Sequence, residues 1–123
     1  MREKKTILIV DDNEDIITTY RVVLDRMGYG VVVVKDGSEV RLDLLNDVQD
    51  LVLLDVLLPG LSGTEVCRSI KETAKTRDIP VVAITASVSA DTRKRMKEVG
   101  ADEFLLKPID VSDLNRVIKQ FVQ

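Results

Sequence analysis

Five short apolar runs, each followed by a stretch with helical spacing, restrict the fold more than any other feature of the chain. The runs are Thr6–Val10, Val31–Val34, Leu51–Asp55, Val81–Thr85 and Glu103–Leu106. Runs this short, rich in Val, Leu and Ile, read as strands buried on both faces. The third is the most telling. Leu51-Val52-Leu53-Leu54 closes on Asp55, and the chain breaks at Pro59-Gly60 shortly after. An unpaired carboxylate is costly to bury, so Asp55 belongs where the strand leaves the sheet, facing a hydrogen-bonded partner or a cation.

The first intervening segment carries Ile16, Ile17, Tyr20, Val23, Leu24 and Met27 at helical spacing, with Gly28 as its stop. The second, Ser38 to about Asn46, carries Val40, Leu44 and Leu45. The third opens with the capping-box spacing Ser62-x-x-Glu65 and is expected to bury Val66, Cys67, Ile70 and Ala74. The fourth, about Ala90 to Val99, has only Met96 and Val99 as clear anchors before Gly100 and is expected to be the least firmly held. The fifth has Leu114, Val117, Ile118, Phe121 and Val122, with Asp110 or Ser112 as its cap. Strand alternating with helix in this way predicts an α/β fold: one doubly wound, five-stranded parallel sheet flanked by five helices. Right-handed crossovers leave few topologies. With no linker or low-complexity tract, residues 1–123 are expected to form a single domain.

Composition excludes several functions. Only 3% of residues are aromatic, too few for a base-stacking surface. The 18 basic and 21 acidic residues give a net charge of -3, which offers no footprint for duplex nucleic acid. The absence of histidine removes it as base, metal ligand or phosphoryl carrier, and with it serine–histidine and cysteine–histidine catalysis. The lone Cys67 has no internal disulfide partner, consistent with a reducing compartment, and reads as a core thiol. Met1 to Lys5 is charged like the head of a signal peptide, but the apolar stretch Ile7–Val10 is too short and runs into two aspartates. No segment has the length to span a bilayer. A cytoplasmic protein without membrane insertion is expected.

In doubly wound sheets, ligands bind outside the carboxyl ends of the strands. Asp11 and Asp12 follow the first strand, Asp55 closes the third, Thr85 closes the fourth, and Lys107-Pro108 follows the fifth. The second strand ends in Lys35-Asp36-Gly37 and adds no comparable group. If the first and third strands are neighbours, about 4.8 Å apart, the three aspartates would share one pocket. Clustered carboxylates repel one another unless a cation intervenes. An all-oxygen set without His or Cys suits a hard ion such as Mg²⁺. With Lys107 as a compact positive charge and Thr85 as a hydroxyl, the pocket is equipped to accept a phosphoryl group on a carboxylate. Taken singly, Asp11-Asp12 is a solvated turn and cap, Thr85 a strand residue and Lys107-Pro108 a surface turn. Their convergence on one edge favours the joint reading.

Leu8-Ile9-Val10-Asp11-Asp12-Asn13-Glu14, Asp55 through Gly63, Ile84-Thr85-Ala86 and Gly100 through Pro108 together resemble the receiver domain of two-component response regulators. The resemblance covers essentially the whole chain, with the motifs in order and at family spacing. It implies a flavodoxin-like sheet of order 2-1-3-4-5. Asp55 matches the phosphoacceptor. Asp11 and Asp12 match the acidic pair holding Mg²⁺, joined by Asp55 and the backbone carbonyl of Leu57. Lys107 would contact the phosphoryl oxygens, and the Lys107–Pro108 bond would be cis. Thr85 and the amide of Ala86 would bond a phosphoryl oxygen. Phe104 matches an aromatic switch that turns inward as Thr85 moves. Ile109 stands where phenylalanine is common, and Leu57 and Ser87 occupy variable positions that tune phosphate lifetime.

The function implied is that of a phosphoacceptor switch, not an enzyme beyond its own phosphorylation and dephosphorylation. Its donor would be a histidine kinase or histidine phosphotransfer protein. Its output would pass to a downstream protein target through the fourth helix, fifth strand and fifth helix, without direct nucleic-acid contact. It would be a monomer or a phosphorylation-dependent dimer. A stand-alone regulator is expected, the alternative being a receiver excised from a larger regulator or hybrid kinase. An aspartate-nucleophile phosphatase of the haloacid-dehalogenase type places Asp-x-Asp after its first strand, where this chain has Asp11-Asp12-Asn13. A flavodoxin-like FMN binder needs a hydroxyl- and glycine-rich loop there, and Asp12-Asn13-Glu14-Asp15 would repel the phosphate. A receiver that signals without phosphorylation is disfavoured because every site residue is present.

Overall fold

The computed structural model describes residues 5–40, 50–58, 60, 62–86 and 89–122. Its elements, in chain order, are β1 (Thr6–Val10), α1 (Glu14–Arg26), β2 (Gly30–Val34), a 3₁₀ turn (Gly37–Glu39), β3 (Leu51–Asp55), α2 (Gly63–Glu72), β4 (Val81–Thr85), α3 (Ala90–Glu98), β5 (Glu103–Leu106) and α4 (Val111–Phe121). The five strands form one parallel sheet in the order β2-β1-β3-β4-β5. They fall on the five apolar runs, with β2 beginning one residue early at Gly30.

Alternate strand residues point to opposite faces, and the core divides accordingly. Ile7, Ile9, Leu51, Leu53, Val82 and Ile84 pack with Ile17, Tyr20 and Leu24 of α1 and Leu114, Val117 and Ile118 of α4. Leu8, Val10, Val52, Leu54, Val81 and Ala83 pack with Val66, Cys67 and Ile70 of α2 and Met96 of α3. Each fully buried aliphatic side chain contributes about 1.5–3 kcal/mol, so a sheet covered on both faces dominates the stability. Met96 is the only buried residue of α3, which makes it the most lightly anchored helix among the described residues.

The helices start where side-chain oxygens satisfy their first free amides. Asn13 Oδ1 accepts from the amides of Asp15 (3.0 Å) and Ile16 (3.1 Å). Ser62 Oγ accepts from Glu65 (3.3 Å). Asp110 and Asp113 cap α4 reciprocally, each carboxylate accepting from the other's amide.

Two expectations need correction. Four α-helices lie among the described residues, and it is the start of the second expected helix that differs. The second expected helix begins at Ser38, where Asp36 Oδ1 instead accepts from the Ser38 amide (2.8 Å) and hydroxyl (2.7 Å) and closes a 3₁₀ turn. Val40 is then extended, and residues 41–46 lie outside the described residues. Ala74 is exposed rather than buried. Helix α2 ends at Glu72 because Thr73 takes an extended conformation, and the buried Thr76 donates its hydroxyl to the Ile70 carbonyl at 2.6 Å.

Candidate functional site

The central pair of strands brings the acids together. β1 and β3 are parallel neighbours with Val10 opposite Leu54, so Asp11 and Asp55 emerge side by side at the carboxyl edge. The backbone around them is held on both sides. Asp11 N–H donates to the Val34 carbonyl (3.1 Å) and Val56 N–H to that of Ile84 (3.1 Å). Gly63 packs directly under this turn, where a Cβ would stand 2.5 Å from the Asp55 carbonyl oxygen and 2.5 Å from Val56 Cα. Only glycine fits there.

Asp11, Asp12 and Asp55 each offer a carboxylate oxygen within 4.8 Å of the others. Asp11 is 2% exposed and Asp55 6%, while Asp12 faces solvent. Asp11 Oδ1 accepts from the Asn13 amide (3.0 Å), and Asp55 Oδ1 from the Leu57 amide (3.0 Å). Lys107 follows β5, its amide donating to the Thr85 carbonyl (2.9 Å). Its Nζ lies 3.1 Å from Asp11 Oδ2 and 3.0 Å from Asp55 Oδ2. The Lys107–Pro108 peptide bond is cis.

Burial pushes the Asp55 carboxyl above the usual carboxylate range. The Lys107 hydrogen bond opposes that rise, the Asp11 charge adds to it, and burial prevails. At Lys107 burial pulls the ammonium down, but the hydrogen bond to Asp55 and the charges of Asp11 and Asp55 outweigh it and leave the pKa raised. Three carboxylates against one ammonium leave the pocket with two negative charges.

Thr85 is fully buried at the end of β4 and Ala86 is exposed beyond it. The register pairs Ala83 with Phe104 and Thr85 with Leu106, so Ala83, Thr85 and Phe104 share the face covered by α2 and α3. Leu57, at 65% exposure, stands beside Asp55. Asp11, Asp12, Asp55 and Lys107 therefore meet in one pocket. Thr85, Ala86 and Leu57 flank it, and half-buried Phe104 lies further back along β5.

Spacing alone does not single out two further residues. Tyr20, read only as an apolar position, is buried beside the pocket, and its phenol is pushed above its ordinary range by burial and then by the Asp11 and Asp55 charges. It lines, with Ile16, Thr19, Ala86, Pro108 and Ile109, a cavity of about 470 Å³ next to Lys107. The signal was a polar-tipped ring on the apolar face of a helix. Arg93, an exposed residue of α3, holds its guanidinium 5.1 Å from the centroid of the Phe104 ring. That contact crosses elements and leaves no mark in local spacing.

Fold and site define a flavodoxin-like domain with an acidic, lysine-bridged pocket at its carboxyl edge. Over residues 7–119 the chain matches the family model for the response regulator receiver domain, and it belongs to that family. It is 34% identical over 119 residues to the polar-differentiation response regulator DivK of Brucella anthropi, the match covering 96% of each chain. It is also 34% identical to the alkaline phosphatase synthesis transcriptional regulatory protein PhoP of Bacillus subtilis. That match covers 97% of this chain but 49% of PhoP, so the chain spans about half the length of this longer relative. Among solved structures it is similar to the signal receiver domain of a signal transduction histidine kinase from Syntrophus aciditrophicus (TM-score 0.87, 33% identity, 96% and 89% of the two chains). It is also similar to the receiver domain of a Pseudomonas aeruginosa sensor histidine kinase that holds a magnesium ion in its active site cleft (TM-score 0.85, 28% identity, 96% and 97%).

Proposed function

We propose that residues 1–123 form one receiver domain that accepts a phosphoryl group on Asp55 from a phosphohistidine of a histidine kinase or histidine phosphotransfer protein. The observation that carries this reading is the single Lys107 ammonium shared by Asp11 and Asp55 within a cluster of three carboxylates. The two uncompensated charges and the all-oxygen donor set fit one divalent hard cation. Asp11, Asp12, Asp55 and the Leu57 carbonyl would hold Mg²⁺. When bound, the ion supplies neutralisation of the charge on the transferring phosphoryl group.

The chain's own residues position the reaction. The Leu57 amide and the Lys107 ammonium fix the Asp55 carboxylate from two sides. One carboxylate oxygen forms the new O–P bond as the donor's N–P bond breaks, and the imidazole leaves with the electron pair. Lys107 then turns its ammonium to the phosphoryl oxygens, and Thr85 and the Ala86 amide bond another. Catalysis here is positioning and charge neutralisation. The added phosphate carries roughly -1.5 to -2 charges and biases a two-state equilibrium of Thr85 and Phe104. Helix α3, held by Met96, moves with them, and the output surface is α3, β5 and α4. Water later hydrolyses the acyl phosphate and resets the switch.

In this reading the domain is a signalling switch, not an enzyme acting on a separate substrate. It is cytoplasmic and works as a monomer or a phosphorylation-dependent dimer. Its output goes to a protein target rather than to nucleic acid, in keeping with a net charge of -3. None of the described helices is long and apolar enough to cross a membrane.

Intact mass after incubation with Mg²⁺ and acetyl phosphate tests the chemistry, with Asp55→Asn as control. A gain of one phosphoryl group that needs Mg²⁺ and is absent in the variant is expected. No gain at saturating donor, in folded protein, would overturn the phospho-switch.

A further inference from the structure

The Phe104 ring carries a cation over its face. Arg93 Cζ lies 5.1 Å from the ring centroid, within the range in which a guanidinium is attracted to an aromatic face. Among the described residues Arg93 has no carboxylate partner, and the ring is the contact it makes. The acid nearest along β5 is drawn elsewhere. Glu103 Oε2 pairs with Arg116 of α4 at 3.2 Å, and Oε1 accepts from the Phe104 amide at 3.0 Å. Arg93 and Met96, one turn apart on α3, line with Phe104 a cleft of about 210 Å³ between α3 and β5. The ring thus packs against the apolar cluster and lies under the guanidinium.

We infer that Arg93 is a positioning residue for the switch, a clasp that holds the Phe104 ring in its half-buried place and opposes its movement toward Thr85. This deepens the phosphoacceptor reading and rests on it. Thr85 and Phe104 lie on the same face of the sheet, offset by two residues along the strands, so a ring released by Arg93 moves along that face toward the pocket. The clasp ties α3 to β5 through one contact. It sets the fraction of molecules already in the phosphate-ready arrangement, and therefore the apparent affinity for a phosphoryl mimic.

The chain has two phenylalanines, Phe104 and Phe121, so aromatic NMR of protein carrying ¹³C-labelled phenylalanine reads the ring directly, with Phe121 as internal control. Arg93→Gln is expected to shift the Phe104 signals and leave those of Phe121 in place. It should tighten the Kd for beryllofluoride with Mg²⁺ by about two- to five-fold, the worth of an exposed cation–π contact. Arg93→Lys, which keeps a cation, should stay close to wild type. An Arg93→Gln protein with unchanged Phe104 signals and unchanged beryllofluoride affinity overturns the clasp. So does one in which both phenylalanines shift together, since that is general loosening. If wild-type protein binds no beryllofluoride and takes no phosphoryl group, the phosphoacceptor reading fails by itself, and the ring signals of the free protein still decide whether Arg93 holds Phe104.

Discussion

Lys107 Nζ stands 3.0 Å from Asp55 Oδ2 and 3.1 Å from Asp11 Oδ2, one ammonium between carboxylates delivered by two adjacent strands. Both acids are almost fully buried, so losing the lysine leaves their carboxylates without the cation they share. Removing one partner from a buried pair costs on the order of 3 kcal/mol because it leaves uncompensated charge behind. Lys107→Ala should therefore lower the thermal midpoint markedly, and Mg²⁺ should restore more of it than it adds to wild type, because the ion takes over the missing charge. Thermal melts with and without Mg²⁺ check this. Equal midpoints for variant and wild type would remove the bridge from the stability account.

Asp55 gives the opposite sign. Its carboxyl is pushed up by burial, with the neighbouring Asp11 charge adding to the rise. A group with a raised folded-state pKa stabilises the fold when protonated and loses that contribution as pH rises through the folded value. The metal-free fold thus disfavours the ionised form of this carboxylate. Asp55→Asn should raise the midpoint in the absence of Mg²⁺, each kcal/mol counting for about 4 °C at this chain length. Saturating Mg²⁺ should erase or reverse the difference. A variant that melts below wild type without Mg²⁺ would show that the carboxylate stabilises the fold.

Much of this was legible in the chain. The strands are short unbroken apolar runs, and alternation along them assigns each residue to a face, so the strands followed from pattern, while the order that makes β1 and β3 neighbours came from the family resemblance. Ala74 shows the limit. Its spacing continues the apolar face of α2, but a threonine hydroxyl that bonds a backbone carbonyl ends a helix without disturbing hydrophobic spacing, as Thr76 does at Ile70. The ion pair of Lys71 with Asp102 at 2.7 Å joins the end of α2 to the start of β5 and also escapes local reading. So does the Arg93–Phe104 contact. Contacts distant in sequence carry no period.

Gly63 joins the fold to the site. A methyl group there meets the Asp55 carbonyl oxygen and Val56 Cα at 2.5 Å, and backbone atoms have little freedom to yield. The Gly63 amide also donates to the Val56 carbonyl at 2.9 Å, fixing α2 against the turn that carries Asp55. Gly63→Ala should cost about 1–3 kcal/mol, the usual penalty for overpacking. Phosphoryl uptake should also slow, because the turn after Asp55 must shift. Denaturant unfolding and the rate of mass gain measure the two effects. An alanine variant with wild-type stability would mean that the turn relaxes freely.

Cys67 supplies a pH dependence distant from the pocket. Burial pushes its thiol up to about 11 from an ordinary value of 9.0, with Lys71 pulling it down and Asp102 raising it. Its hydrogen points to the Val99 carbonyl, with Sγ at 3.7 Å. The folded state therefore favours the neutral thiol. The stability this provides is fully present below pH 9 and is lost as pH climbs toward 11, a span of two units worth about 2.7 kcal/mol. Cys67→Ala has no thiol to ionise. It should be less stable at pH 8, by about 1–2 kcal/mol for the small cavity, but should lose less stability than wild type between pH 9 and 11. Iodoacetamide at pH 8 should leave the folded protein unmodified and label it in denaturant. Rapid labelling of the native protein, or parallel alkaline profiles for the two proteins, would place this thiol in contact with solvent and remove it from the α2–α3 core.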